Sequence, residues 1–190
     1  YTTSDEVNPI NIYGQSKALG EKLILNQISE PTNFFIIRTS WVLSNYGKNF
    51  LLKIIELISK NELLHVVNDQ TGCITDVNNL ANICWMLLFK VESGIKLPSI
   101  MHFCDKGFAS WYEVAQKINE YISKREFFKH KSRIIPVNSN FFNLPAERPK
   151  FSLLDCEQTY KIFDFVPPNW DKSILNLLDS LDMDYLKFNK

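Results

Sequence analysis

Hydrophobic positions along this chain alternate between helical spacing and short continuous apolar runs. From Asn11 to Ile28, after an Asn8-Pro9 turn, Leu19/Leu23 and Ile24/Ile28 share a helix face, and Glu30-Pro31-Thr32 stops the run. Phe34 to Ile37 is the unbroken apolar stretch expected of a strand buried on both faces of a parallel sheet. Gly47 opens a second helix with Phe50, Ile54, Leu57 and Ile58 on one side, and Leu63 to Val67 is another apolar strand. Asp69 to Thr75 reads as a loop. Thr75 or Asp76 can cap the helix carrying Leu80, Ile83, Leu87 and Leu88.

The alternation continues to the end of the chain. Ser99 to Cys104 reads as a strand, and Ser110-Trp111-Tyr112-Glu113 is a capping box before a helix to about Lys124 with Val114, Ile118 and Ile122 inward. Arg133 to Val137 is a strand, 138–150 an Asn- and Pro-rich loop, 155–162 a small helix, and Trp170 to about Leu181 a final one. This order predicts an α/β fold, the C-terminal part of a Rossmann-like parallel sheet with a smaller α/β substrate-binding region.

Composition narrows the function classes. Among 190 residues, 21 basic and 21 acidic side chains are scattered without a like-charged run, which leaves no electrostatic footprint for nucleic acid or an anionic membrane. The longest apolar runs, such as Leu51–Ile58, fall far short of a membrane span. Cys73, Cys84, Cys104 and Cys156 form no close pair, so they read as small buried thiols of a cytoplasmic protein rather than metal ligands. His65, His102 and His130 are isolated, and His102 reads as a packed strand residue. No metal site is assignable. The six glycines, at 14, 20, 47, 72, 94 and 107, cannot form a phosphate-binding loop.

One constellation carries chemistry. Tyr13 and Lys17 are four residues apart and so share a face near the start of the first helix. A free tyrosine, with a pKa of about 10, moves protons poorly near neutrality. A nearby fixed cation favours the phenolate and makes a usable general acid. Chance alone yields about 0.6 such Tyr-x-x-x-Lys matches in a chain of this composition, so the pair needs its surroundings to be informative.

Those surroundings supply a resemblance. Asn8-Pro9-Ile10-Asn11-Ile12-Tyr13-Gly14-Gln15-Ser16-Lys17 with Gly20-Glu21 resembles the active-site helix of extended short-chain dehydrogenase/reductases. Arg38-Thr39-Ser40-Trp41-Val42, Val66-Val67-Asn68-Asp69-Gln70-Thr71-Gly72, Ser110-Trp111-Tyr112-Glu113 and Arg148-Pro149-Lys150-Phe151-Ser152 follow in register. Together they resemble the dTDP-4-dehydrorhamnose reductases, from Tyr1 to roughly Leu181.

The resemblance implies NAD(P)H-dependent reduction of the C4 ketone of dTDP-4-dehydro-L-rhamnose. Tyr13 would donate the proton and Lys17 would orient the cofactor ribose. Arg38, Thr39 and Ser40 would line the nicotinamide or sugar pocket. Trp41 would lie against the deoxysugar or be a core aromatic, and Arg148 would clamp the diphosphate or make a structural salt bridge. Asp69 and Gln70 would support the substrate loop or fix its turn, and Trp111 reads as packing. NADPH or NADH is the implied cofactor. Family use of Mg²⁺ and a homodimer are also implied, without assignable ligands.

The division expected is 1–70 for the remainder of the dinucleotide-binding domain and 71–190 for a mainly nucleotide-sugar-binding region that can return to the Rossmann sheet. Leu43-Ser44 and Cys73-Ile74 depart from the family pattern in the substrate loops. The Gly-rich cofactor turn and the Ser/Thr partner of the tyrosine would lie before Tyr1, so the 190 residues alone are expected to be a fragment without turnover. Two other functions stay open: a nucleotide-sugar epimerase or dehydratase of the same superfamily, and a non-catalytic subunit like the regulatory β-subunit of methionine adenosyltransferase.

Overall fold

Helices and strands alternate along the computed structural model, which describes residues 1–27, 34–125, 132–143 and 145–181. The elements are α1 (Ile12–Gln27), β1 (Ile36–Arg38), β2 (Val42–Leu43), α2 (Phe50–Lys60), β3 (Leu63–Val67), β4 (Thr71–Gly72), β5 (Thr75–Asp76) and α3 (Val77–Glu92). After them come β6 (Ile100–His102), β7 (Ala109–Ser110), α4 (Trp111–Ile122), β8 (Arg133–Val137), a 3₁₀ turn (Ser139–Phe142), β9 (Phe151–Ser152), α5 (Glu157–Phe163) and α6 (Trp170–Asp179). The expected stop at Glu30-Pro31-Thr32 and the residue Ile28 lie outside the described residues.

Pairing is mostly parallel, as the alternation predicts. β1 pairs with β6, with Ile36 opposite Ile100, and β3 pairs with β8, with Leu63 opposite Arg133. β2 runs parallel to β5, and β4 sits between antiparallel β7 and parallel β9. The β1–β6 ladder therefore joins the sequence on either side of residue 70. One strand differs from the expectation of burial on both faces. β1 is half-buried, pairing among the described residues with β6 alone. In β3 only Leu64 and Val66 are buried, while Leu63 and His65 face out, because one side of the β3–β8 ladder packs on α2 and α4 and the other is open.

Two apolar cores result. In the first, Leu51, Ile54, Ile55 and Ile58 of α2 meet Val114, Ile118 and Ile122 of α4 and Ile174, Leu177 and Leu178 of α6. In the second, Ile83 and Leu87 of α3 pack with Met101, Phe103, Tyr160 and Phe163. The inward positions expected for α4 are the buried ones. On α3, by contrast, Leu88 is exposed and lies beside Trp85 and Phe89 on the outer face. Leu19 and Leu23 of α1 are likewise exposed.

Caps follow the sequence closely. Ser110 and Glu113 form the reciprocal capping box of α4, and the Asp76 carboxylate caps α3 by accepting from the Asn78 amide at 2.8 Å. Thr75, the alternative cap, is buried and bonded elsewhere.

Cys73, Cys104 and Cys156 are buried in the second core, whereas Cys84 is exposed on α3; all four are free. The neighbouring Cys156 thiol and burial push Cys104 up to about 12, so this thiol stays protonated. No helix among the described residues is long and apolar enough to cross a membrane.

Candidate active site

The first turn of α1 is built by three neighbouring residues. The Asn11 carboxamide oxygen accepts from the Gly14 amide at 2.8 Å, an N-cap. A Cβ at Gly14 would stand 3.0 Å from the Pro9 Cβ, so a glycine lets the incoming chain lie close against the helix. Tyr13 is thus fixed at a helix start as a residue 71% exposed. Lys17, one turn on, holds Nζ 5.5 Å from the Tyr13 ring centroid, a cation–π contact.

Asn11 also reaches across the molecule. Its Nδ2 donates to the Glu147 carbonyl at 2.7 Å, which ties the start of α1 to the loop carrying Arg148. That loop forms one rim of a cleft of about 1090 Å³. The opposite wall comes from Phe50, Lys53 and Leu57 of α2 and from His65 to Val67 of β3, with Trp111 at the start of α4; Tyr1 and Ile10 close the side next to α1. Arg148 is exposed on the rim and, among the described residues, makes no salt bridge.

The Asp69–Gln70 stretch fixes this loop. Asp69 Oδ1 accepts from both the Ser139 amide (2.9 Å) and its hydroxyl (2.6 Å), and Gln70 Nε2 donates to Ser139 Oγ at 2.8 Å. These bonds, led by the Ser139 hydroxyl, hold the Asp69 carboxyl below the usual carboxylate range. Both side chains also line the cleft.

At the carboxyl end of β1 the residues serve two directions. The Arg38 guanidinium grips Glu21 of α1 with both forks, Nε to Oε1 at 2.9 Å and Nη2 to Oε2 at 2.7 Å. Glu21 lies two turns beyond Tyr13 on the same helix face, so this pair sets how α1 lies on the sheet. Arg38 also stands 3.5 Å from His102 Nε2. Burial and then the Arg38 cation push the His102 imidazole down, keeping it neutral. Thr39 Oγ1 lies 2.9 Å from Thr75 Oγ1, and Thr75 Oγ1 donates to the Ser40 carbonyl at 2.7 Å, stitching β1 to β5.

Residues 1–183 match the RmlD substrate binding domain. The chain belongs to that family. A dTDP-4-dehydrorhamnose reductase of Sinorhizobium fredii is 32% identical over 183 residues, covering 95% of this chain and 60% of the relative. The crystal structure of dTDP-4-dehydrorhamnose reductase from Bacillus anthracis, in complex with NADP, superposes with a TM-score of 0.81 at 30% identity over 94% of this chain and 59% of that one. The UDP-glucuronic acid 4-epimerase of Bacillus cereus, in complex with NAD, shares the fold at a TM-score of 0.71 with 17% identity. The chain spans about 60% of the length of the curated reductases it matches.

Within this RmlD-type domain the site residues expected from sequence fall into four groups. Tyr13 and Lys17 stand together and open to solvent. Arg148 lies on the cleft rim, linked to them through Asn11. Arg38, Thr39 and Ser40 are committed to internal bonds, and Arg38 in particular is satisfied by Glu21 rather than turned to the cleft. Trp41 stacks on Trp111 at a centroid distance of 3.6 Å, and Trp111 also lines the cleft.

Sequence reasoning missed Lys53, His65, Ser139 and Phe142, all on the cleft. For Ser139 and Phe142 the only signal was the polar character of 138–150, and for Lys53 on α2 and His65 on β3 there was none, since no local pattern says which outer face lines a cleft. Among the described residues no group of three His, Cys, Asp or Glu side chains could hold a metal ion.

Proposed function

We propose that this sequence carries the proton-donating helix and the substrate cleft of an NAD(P)H-dependent dTDP-4-dehydrorhamnose reductase, acting in the cytoplasm on dTDP-4-dehydro-L-rhamnose. The single observation carrying this reading is the Asn11–Glu147 bond. It sets the Tyr13–Lys17 pair at the edge of a cleft with an unpaired Arg148 on its rim. The names of the relatives support the same reaction.

The pieces fit the chemistry as follows. When bound, a nicotinamide cofactor would supply the hydride for C4. The Tyr13 hydroxyl delivers the proton to the C4 oxygen, so ketone, hydride and proton become a secondary alcohol. Lys17, whose ammonium makes no ion pair among the described residues, is placed to donate to the cofactor ribose hydroxyls while its charge lies beside the phenol that gives up the proton. Arg148 offers a bidentate fork for the diphosphate. Arg38 acts through α1 rather than on the cofactor. In this reading α1, β1, β6 and α3 are the remainder of the dinucleotide-binding layer. The cleft formed by α2, β3, β8 and the 138–151 loop holds the nucleotide-sugar.

The test uses the full-length gene product and follows NADPH oxidation with dTDP-4-dehydro-L-rhamnose, with the product identified by NMR. Tyr13→Phe should lower kcat by about 10²–10⁴-fold while cofactor affinity stays close to that of the parent. A Tyr13→Phe enzyme with near-parental turnover would remove the proton-donor assignment. Epimerised or dehydrated product without net NADPH consumption would replace the reductase with another activity of the fold.

A further inference from the structure

His102 closes β6 and lies opposite Arg38 in the parallel ladder. It is 1% exposed, yet its Nδ1 is buried with no hydrogen-bond partner. Unsatisfied polar atoms are uncommon in a packed interior and need a reason. The other ring nitrogen supplies one. Nε2 faces Arg38 Nη1 at 3.5 Å, the guanidinium nitrogen that Glu21 leaves free while its carboxylate takes Nε and Nη2. A guanidinium only donates, so this contact is attractive only while Nε2 keeps its lone pair, which puts the ring's single proton on Nδ1. A charged ring would set a second N–H and a second unit charge against Arg38.

The surroundings hold the ring neutral. Burial, and then the Arg38 charge, disfavour the imidazolium. The backbone of Asp155 and of Tyr1 lies close enough to favour it without completing a hydrogen bond to Nδ1, and the Tyr1 ammonium opposes it. The Asp5 carboxylate feels the same charge from the N-terminal segment. From α5, which packs on β6, Tyr160 has its hydroxyl committed to the Cys104 carbonyl. Glu21 of α1 lies behind Arg38. Leu19, Leu23 and Leu25 of that helix are exposed, so the Glu21 carboxylate is its charged tie to the sheet.

Resting on the reading of Tyr13 as the proton donor, we propose that His102 is a positioning residue. Its neutral ring keeps the Arg38 fork on Glu21, and Glu21 keeps the helix that carries Tyr13 in place. When His102 gains a proton, the repelled fork loosens its grip and α1 no longer holds the phenol at the C4 oxygen. Proton delivery then slows while the nucleotide still binds, since His102, Arg38 and Glu21 all lie outside the cleft lining.

The test uses the full-length gene product and follows His102 by the NMR signal of its ¹³C-labelled imidazole. In the wild type, kcat should fall on the acid side with the midpoint of the His102 signal, below the ordinary imidazole value of 6.5. Across that range dTDP affinity, measured by calorimetry, should change by less than about threefold. His102→Gln stays neutral at every pH and offers Arg38 a carboxamide oxygen. It should keep kcat at about pH 7.5 within about threefold of wild type and lose the acid limb. His102→Leu should lower kcat about tenfold with dTDP affinity unchanged, and should add little in a Glu21→Gln background.

A wild-type kcat indifferent to the His102 titration would overturn the proposal, whether or not the variants fold. So would an acid limb in His102→Gln at the wild-type midpoint, or additive kcat losses in Glu21→Gln and His102→Leu. Hydrogen exchange of the α1 amides, corrected for intrinsic rates, reads the coupling apart from turnover. Protection should drop about fivefold or more as His102 gains its proton, and unchanged protection would remove the coupling. A protein that shows this drop but reduces no ketosugar at any pH would sink the reductase reading and leave the coupling standing.

Discussion

Gly72→Ala tests the packing around Trp41 most directly. The added Cβ would lie 2.5 Å from Trp41 Cε2, 2.8 Å from Cζ2 and 2.9 Å from Ser152 Oγ. Ordinary carbon–carbon contact is about 3.5–4.0 Å, so the indole must retreat by about 1 Å. Its room to move is limited, because Trp111 is stacked on it with ring centroids 3.6 Å apart and Phe50 backs Trp111 at 4.3 Å.

Overpacking of this kind costs about 1–3 kcal/mol, and the smaller unfolded-state entropy of alanine returns about 0.4–1 kcal/mol. The net destabilisation expected is about 1–2 kcal/mol, a fall of roughly 0.5–1 M in the urea midpoint for a slope of about 2 kcal/mol/M. Gly20→Ala is the matched control. Gly20 lies inside α1, where an added Cβ meets nothing within 4 Å, so this substitution should stabilise by about 0.5–1 kcal/mol. Urea unfolding followed by tryptophan fluorescence reads both, and the Trp41–Trp111 exciton band should weaken only in Gly72→Ala. A Gly72→Ala midpoint equal to or above that of the parent would refute the packing described here.

Three further outcomes are expected. Ser110→Ala removes the capping box and should cost about 1 kcal/mol in urea unfolding, with Ser110→Thr close to neutral. Glu21→Gln leaves the half-buried Arg38 without its bidentate carboxylate and should cost about 1.5–3 kcal/mol by the same assay; an unchanged midpoint would show that the pair does not fix α1. The third concerns pH. Burial raises Asp105, with the neighbouring Asp76 carboxylate adding to the rise, so the native state binds more protons there than the unfolded chain. The stabilisation from Asp105 is therefore full below its unfolded pKa of about 3.8 and is lost as pH rises through its folded value. Asp105→Asn should make the stability above about pH 4 less dependent on pH, and an identical slope in the variant would refute this assignment.

Local chemistry made much of the molecule legible in sequence. The capping box at Ser110, the strand at Arg133–Val137 and the inward face of α4 depend on neighbours within one helical turn or one strand. Tyr13 and Lys17 fall in the same class, since their shared face follows from helix geometry alone. The exposure of Leu88 and of Leu19 and Leu23 on α1 was not legible in the same way. Periodicity says which residues share a face but not whether anything covers it.

The amino-acid sequence by itself determined the alternating elements, the shared helix face of Tyr13 and Lys17, and the family. Contacts between distant segments were decided only by the tertiary structure. Arg38 is spent on Glu21, Arg148 is left unpaired on a cleft rim, and Asn11 joins Tyr13's helix to the loop 136 residues later. Trp111, locally a helix-start aromatic, lines the cleft and stacks on Trp41 because Gly72, Thr75 and Phe50 converge on that pair. A side chain's type and helical phase are properties of its neighbours in sequence, whereas its partner is set by which faces the packed core leaves open.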